Sequence, residues 1–196
     1  MRRALLVSLR MAVVTIVLTG LIYPMVVWGL GTALFPKQAA GSLVTDAKGT
    51  VIGSTLIAQS FTADKYFHPR PSAAGAGYDG MSSSFSNLGP TNRTLIDRVR
   101  ADVRKQLAQD PGLKFGAVPV DMVTTSASGL DPHITVANSR AQAPCVAAAR
   151  GMSIAAVLRL VAEHTGGRTL GFLGEPRVNV LRLNLALYAA QGIKGP

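Results

Sequence analysis

The chain is poor in the residues that carry most protein chemistry. It has one cysteine, Cys145, among 196 residues. A single thiol excludes an intrachain disulfide framework and the usual cysteine-based zinc sites, and it reads as a small buried residue. Acids are scarce as well. Asp and Glu number 10 against 20 Lys and Arg, for a net charge of +10, and no acid precedes Asp46. There is no GxxxxGK[ST] phosphate loop, no HExxH pair, no EF-hand loop and no GxSxG elbow, so the common signatures of nucleotide, metal and nucleophilic chemistry are missing. The basic residues are dispersed rather than run together, so the charge does not mark a nucleic-acid tract. A hydrophobic share of 48% excludes a disordered chain. The expectation is a protein with no catalytic residues and no metal site of its own.

The apolar excess behind a mean hydropathy of +0.29 sits at the front. No charge occurs from Met11 to Pro36. About 20 helical residues span a ~30 Å hydrocarbon core, and in lipid a helix is the only single segment that satisfies its own backbone. Residues 11–35 therefore read as a transmembrane helix in contact with membrane lipid. The run is longer than a signal-peptide core and no small-x-small cleavage site follows it, which favours an uncleaved anchor. Arg2, Arg3 and Arg10 before the run, against Lys37 after it, place residues 1–10 in the cytoplasm and residues 37–196 outside. In a bacterium this is an inner-membrane protein with a periplasmic domain. Within the span, Pro24 predicts a kink. Thr15, Thr19 and Gly20 offer a low-profile face for helix packing.

The remaining residues predict one mixed domain, giving an α+β chain overall. Strands are expected at Val51–Ala58, Val118–Thr124 and Thr169–Leu173. Gly53 is a candidate bulge. Helices are expected from Gly89-Pro90 to Gln109, stopped by Asp110-Pro111-Gly112, over Val136–Ala149 with an interruption at Pro144, and from a Ser153 cap to about His164. In the last of these Ile154, Val157, Leu158 and Val161 should face inward. Residues 178–190 fit either a strand or a helix, with Asn179 as the cap of the helix. Phe61 to Asn87 is a long loop, and loops of that length are usually functional or disordered.

Candidate contact residues lie on that loop and on the LGEPRVN segment: His68, Pro69, Arg70, Pro71, Tyr78, Asp79, Asn87, Asn92, Glu175, Arg177 and Asn179, beside Thr15, Thr19, Gly20 and Pro24 in the span. Tyr66 belongs with the loop set. Prolines and glycines together fix loops rather than loosen them. Asn87, Asn92 and Asn179 are candidate caps. A hydrolase triad from Ser126 or Ser128, Asp131 and His133 is disfavoured, because Asp131 and His133 are too close in sequence. Asp-Pro-His instead predicts a turn in which the Asp side chain accepts from nearby amides.

The order LFPKQAAGSLV, IGSTLIAQSFTADKYFHPRPSAAGAGYDGMSSSFSNLGPTN, TTSASGLDPHIT, VAAARG and HTGGRTLGFLGEPRVNVLRLNLAL resembles the C subunits of Kdp-type high-affinity potassium-transporting ATPases, the KdpC family. The resemblance runs from about Thr19 to Leu187. Val136 and Cys145 depart from it, standing where Pro and Arg are expected. It implies a non-catalytic accessory subunit beside a channel-like potassium-translocating subunit, a P-type ATPase subunit and a small single-span subunit. In such a complex potassium is the transported ion and ATP acts through the ATPase subunit. It also implies a chaperone role that raises ATP affinity, and a nucleotide-contacting role for Gly129, Leu130, Asp131, Pro132 and His133. The topology read from the flanks argues against direct contact, because ATP is cytoplasmic. The alternative to the whole reading is a freestanding membrane-anchored periplasmic domain that binds a solute or acts as an enzyme.

Overall fold

The computed structural model describes residues 1–46, 48–110 and 112–192. The chain divides into two compact units, one ending at Leu43 and one beginning at Val44.

The first unit is built on the apolar segment. Helix α1 spans Arg2–Ile16 and α2 spans Tyr23–Leu34, joined without a break by a π-helical turn over Val17–Ile22. The cause is Pro24. It has no N–H, and its ring collides with the carbonyl four residues back, that of Gly20. The helix answers by widening, so that the Tyr23 N–H donates to Leu18 O, five residues back. The expected kink is thus a π turn. The Thr19 hydroxyl donates to Thr15 O at 2.7 Å and the Thr32 hydroxyl to Trp28 O at 2.8 Å, so both are satisfied within their own helix. Arg2–Leu34 is long and apolar enough to cross a membrane. Phe35, restricted by the proline after it, ends the helix at φ −133°. A short helix α3, Pro36–Ala39, follows.

The second unit is mixed α and β. Strands β1 (Leu43–Thr45) and β2 (Val51–Ser54) form a two-stranded sheet. Between them Asp46 Oδ1 accepts from the amides of Lys48 and Thr50, both at 2.8 Å. The expected strand to Ala58 stops at Ser54, because the Ser54 hydroxyl accepts from the Leu56 amide and turns the chain. The Gln59 side chain lies over Gly53, where a Cβ would stand. Helix α4, Arg93–Gln109, opens on Asn92, whose side-chain oxygen accepts from the Thr94 and Leu95 amides. It ends at Asp110, and Pro111 lies outside the described residues.

Two short 3₁₀ turns, Phe115–Ala117 and Val120–Met122, replace the expected strand at 118–124. A turn is required there because it carries Asp121 to the start of helix α5, described below. Strand β3 is His133–Thr135, and α5 runs Val136–Arg150 with Thr135 as its cap. Pro144 is inside α5 and does not end it, which corrects the expected interruption. Gly151 closes the helix in the left-handed region at φ 63°. Helix α6, Ile154–Glu163, is capped by Ser153. Val157 and Val161 are buried, whereas Ile154 and Leu158 are exposed, against expectation.

Strands β4 (Thr165–Gly166) and β5 (Arg177–Asn179) lead to helix α7, Val180–Ala190, so residues 178–190 are a strand end followed by a helix. The sheet order is β3-β5-β4, antiparallel, with His133 opposite Asn179 and Thr165 opposite Val178. Thr169–Leu173 is a tight turn closed by a Thr169–Leu173 bridge, not a strand. Leu170 at φ 55° and Gly171 at φ 85° reverse the chain there. The core joins α5, α6, α7 and the sheet through Ile134, Val146, Val157, Val178, Leu183 and Leu187, and the long loop adds buried Phe67, with Phe61 packed against its edge.

Candidate functional site

The long loop has no regular secondary structure, yet it is held throughout. Phe67 is fully buried. Its amide donates to Asn184 Oδ1 at 2.8 Å and its carbonyl accepts from Asn184 Nδ2 at 3.0 Å. The next residue is gripped the same way: the His68 amide donates to Gln142 Oε1 at 2.7 Å and its carbonyl accepts from Gln142 Nε2 at 3.1 Å. A primary amide offers one donor and one acceptor side by side. The loop therefore receives from α7 and α5 what a neighbouring strand would supply.

Behind Gln142 the network continues inward. Gln142 Nε2 donates to Asn138 Oδ1 at 2.7 Å, and Asn138 Nδ2 donates to Asp121 Oδ2 at 3.0 Å. Asp121 also accepts from the Thr135 amide and hydroxyl, at 2.7 and 3.0 Å. A carboxylate at the start of α5 is favoured by the helix dipole. Asp121, Asn138 and Gln142 are buried, so each bond replaces water that the site excludes.

The second half of the loop closes on the GLDPH segment. Arg70 donates to Thr125 O at 3.0 Å and lies 3.4 Å from Asp131 Oδ2. The Tyr78 hydroxyl donates to Arg70 O at 2.9 Å, and burial raises its pKa above the usual phenol value. The Ser72 hydroxyl donates to Gly129 O at 2.6 Å and accepts from the amides of Ala74 and Tyr78. Gly129 has φ +68°, and a Cβ on it would press on Ser84 O and on Ala74. Only glycine lets the two loops approach so closely.

Every donor on the GLDPH backbone is already taken. The Gly129 amide donates to Ser126 O, Leu130 to the Ser128 hydroxyl, Asp131 to the Ser126 hydroxyl and His133 to Asp131 Oδ1. Pro132 has no N–H. The carbonyls are used too: Leu130 O accepts from Ala58 and Pro132 O from Val180. The expected Asp-Pro-His turn is present, with the Asp131 side chain 3.0 Å from the His133 amide. Burial would raise the Asp131 carboxyl, but the ring and amide of His133 and the Arg70 guanidinium outweigh it and hold its pKa below the ordinary value. The His68 pKa is lowered as well, in its case chiefly by burial.

Beside this clasp the loop, α4 and α5 enclose a cleft of about 800 Å³ whose walls include Asp64, His68, Tyr78, Gln106 and Cys145. Cys145 is half-buried rather than buried, and desolvation raises its thiol above the usual range. Arg150 donates to Lys65 O at 2.6 Å and stacks 4.6 Å over the Tyr188 ring, while the Tyr66 and Tyr188 hydroxyls are hydrogen-bonded. Among the described residues no three His, Cys, Asp or Glu side chains converge to hold a metal.

The structure thus brings His68, Pro69, Arg70, Pro71, Tyr78, Gly129, Asp131 and His133 into one place. Asn179 joins them, since it caps α7, pairs with His133 in the sheet and donates to Thr55 O at 2.9 Å. Asp79 fixes its own turn by accepting from Met81. Asn92 is a cap, whereas Asn87 is not: it sits at φ 54° in the loop. Glu175 is elsewhere, both its carboxylate oxygens accepting from Arg168 Nη2 at 2.9 Å, and Arg177 lies opposite Thr135 in the sheet. Asn184, Gln142, Asn138, Asp121 and Ser72 were not among the expected contacts. The signal was there in the amides at 138 and 142, one helical turn apart, and in Asn184 among leucines, which are polar groups on faces that bury.

Fold and site define a membrane-anchored chain whose mixed domain carries a buried polar clasp. The family model described as "K+-transporting ATPase, c chain" matches residues 5–189. The chain is 57% identical over 182 residues to the potassium-transporting ATPase KdpC subunit of Myxococcus xanthus, covering 93% of this chain and 86% of that one. It is 52% identical over 196 residues to the KdpC subunit of Koribacter versatilis, covering 100% of both. To the KdpC subunit of Mycobacterium tuberculosis (strain ATCC 25177 / H37Ra) it is 54% identical over 187 residues, covering 95% and 98%. The chain belongs to the KdpC family.

Proposed function

We propose that this chain is a non-catalytic accessory subunit of an ATP-driven, high-affinity potassium uptake complex. In this reading it is anchored by its N-terminal helix and docks, through its folded domain, on a channel-like potassium-translocating subunit that works with a P-type ATPase subunit and a small single-span subunit. The N-terminus is cytoplasmic and the domain periplasmic, in the inner membrane of a bacterium. The three arginines before the span support this orientation. Potassium is the transported ion, and ATP is bound and hydrolysed by the ATPase subunit.

The observation that carries the reading is the occupancy of the GLDPH segment. A phosphate needs free amides or an uncommitted arginine. Here each available amide of residues 129–133 already has an acceptor, and Arg70 serves Asp131, Thr124 and Thr125. GLDPH acts as a clasp that fixes the long loop, and its effect on ATP affinity is a coupling free energy transmitted through the assembly.

The test is cysteine labelling of intact spheroplasts. In a Cys145→Ala background, Ala127→Cys places an exposed thiol beside the clasp. Labelling by a membrane-impermeant maleimide from outside is expected. A thiol that reacts only after the membrane is opened puts the domain in the cytoplasm and revives direct ATP contact.

A further inference from the structure

The anchor carries two polar groups where a membrane offers them no partner. The first is a backbone carbonyl. In an α-helix Thr19 O would accept from the amide of Tyr23, four residues on, and in a π turn from that of residue 24. The Tyr23 amide is spent on Leu18 O, and residue 24 is a proline, which has no N–H. Thr19 O is therefore left without a helical donor. The second is the Tyr23 hydroxyl. Tyr23 is 66% exposed, and its hydroxyl has no hydrogen-bond partner among the described residues.

Depth decides what can cover them. Tyr23 stands 13 residues after Arg10 and 14 before Lys37, so at ~1.5 Å per residue it lies about 20 Å from either charge. That is the middle of a ~30 Å hydrocarbon core, and a tyrosine there is too short to lift its hydroxyl to the headgroups. An acyl chain neither donates nor accepts, so lipid leaves both groups unsatisfied. The chemistry asks for a polar side chain at the same depth, which only another membrane helix supplies. The approach is open. Outside the backbone of its own helix, a Cβ on Gly20 would meet nothing nearer than Ile16 Cγ2 at 3.9 Å, and Thr19 and Tyr23, four residues apart, share a face. A low-profile residue beside polar groups lets one membrane helix come close enough to another to hydrogen-bond.

We propose that Thr19 O and the Tyr23 hydroxyl, with Gly20 between them, form a polar seat for a transmembrane helix of the channel-like potassium-translocating subunit, one that presents a serine, threonine, asparagine or glutamine at mid-membrane depth. Such a side chain donates to Thr19 O and accepts from Tyr23. The choice of subunit rests on the reading above, in which the folded domain docks on it. Only residues 35–43 separate the anchor helix from the domain, and so short a linker makes the second contact an intramolecular one, at high effective concentration on the same subunit. Pro24 then does more than reshape the helix: it frees the carbonyl that the partner reads.

The test uses the full chain assembled with the other subunits in membranes. A benzoylphenylalanine photo-cross-linker in place of Ile16 borders Gly20 and leaves the seat itself intact. Irradiation should join the chain to the channel-like subunit. Absence of that adduct, with lipid, a second copy, the ATPase subunit or the single-span subunit marked instead, overturns the proposal while leaving the subunit reading intact. If the unmodified chain fails to co-purify with the other subunits, the subunit reading falls and the proposal with it. As a second measurement, Tyr23→Phe removes only the hydroxyl and Gly20→Leu fills the approach. In competition with the unmodified chain, retention of each variant on the detergent-solubilised complex should fall about 3- to 30-fold, the range of one interhelical hydrogen bond. Thermal unfolding of the chain alone should not change. Undiminished retention of either variant also overturns the proposal.

Discussion

The side-chain amide of Asn184 pairs with both backbone groups of Phe67, accepting at 2.8 Å and donating at 3.0 Å across 117 residues of sequence. This one relationship explains how a loop without helix or strand delivers a fully buried phenylalanine to the core. Replacing Asn184 by Leu keeps the volume and removes both partners. Two buried backbone groups then go unpaired, at about 1–3 kcal/mol each. Chemical unfolding of the full chain in detergent should show a loss of about 2–6 kcal/mol, with protease sensitivity appearing first near Tyr66. Wild-type stability in Asn184→Leu would mean that the loop is held by other contacts.

Two glycines with similar φ should respond differently. Gly129 at +68° is pressed by Ser84 O and Ala74, while Gly151 at +63° has open space around it. Alanine at either position meets the left-handed penalty of about 1–2 kcal/mol. Only at Gly129 must two loops also separate. Gly129→Ala should therefore lower the melting temperature by clearly more than Gly151→Ala, and only Gly129→Ala should expose the 70–85 segment to proteolysis. Equal shifts would show that the close approach costs nothing.

Arg70 serves one carboxylate and two residues of the Thr124–Thr125 segment. Lysine keeps the charge but not the planar fork. Arg70→Lys should cost about 1–2 kcal/mol in the same unfolding assay. It should retain the acid sensitivity described next, because a cation still faces Asp131. A Lys variant indistinguishable from wild type would reduce Arg70 to its charge.

Acid should weaken the domain in two stages. The His68 pKa in the folded chain is lowered, mainly by burial, from its ordinary 6.5. The unfolded chain therefore binds the proton more readily, and stability falls as pH drops below about 6.5. Asp131 is also lowered from its ordinary 3.8, because the His133 ring and amide and then Arg70 outweigh its burial. Its contribution is present above the unfolded value and is lost as pH falls through the folded one. Melting temperature against pH should thus decline below pH ~6.5 and again below pH ~4. His68→Asn should flatten the first decline and Asp131→Asn the second. An unchanged profile in either variant removes that residue from the account.

The anchor was legible in the sequence because length and missing charge suffice for it. The helices were legible wherever a cap marked them: Asn92, Ser153 and Asn179 each accept amide hydrogen bonds where expected. Of the strands, β2 begins at Val51 as expected, but β3, β4 and β5 were not legible, since they are two or three residues long and owe their existence to pairing with one another rather than to alternation. The apolar run at 118–124 looked like a strand and is a turn, because Asp121 must reach Thr135, a long-range demand no local pattern displays. Within the site, Asp131 and His133 announced their turn through local spacing. Their meeting with Arg70 and Tyr78 depends on a loop closure that only the folded chain reveals.

The π turn before Pro24 has a geometric consequence for the anchor. A π turn accommodates one residue more per turn than the helix around it, and one helical residue corresponds to about 100° of rotation. The α2 half of the anchor is therefore turned by about that angle relative to a continuous helix of the same sequence. A helical wheel drawn through Thr15, Thr19, Gly29 and Thr32 as one stripe consequently misplaces its second half, and any neighbour that follows this helix along its length meets two faces out of phase.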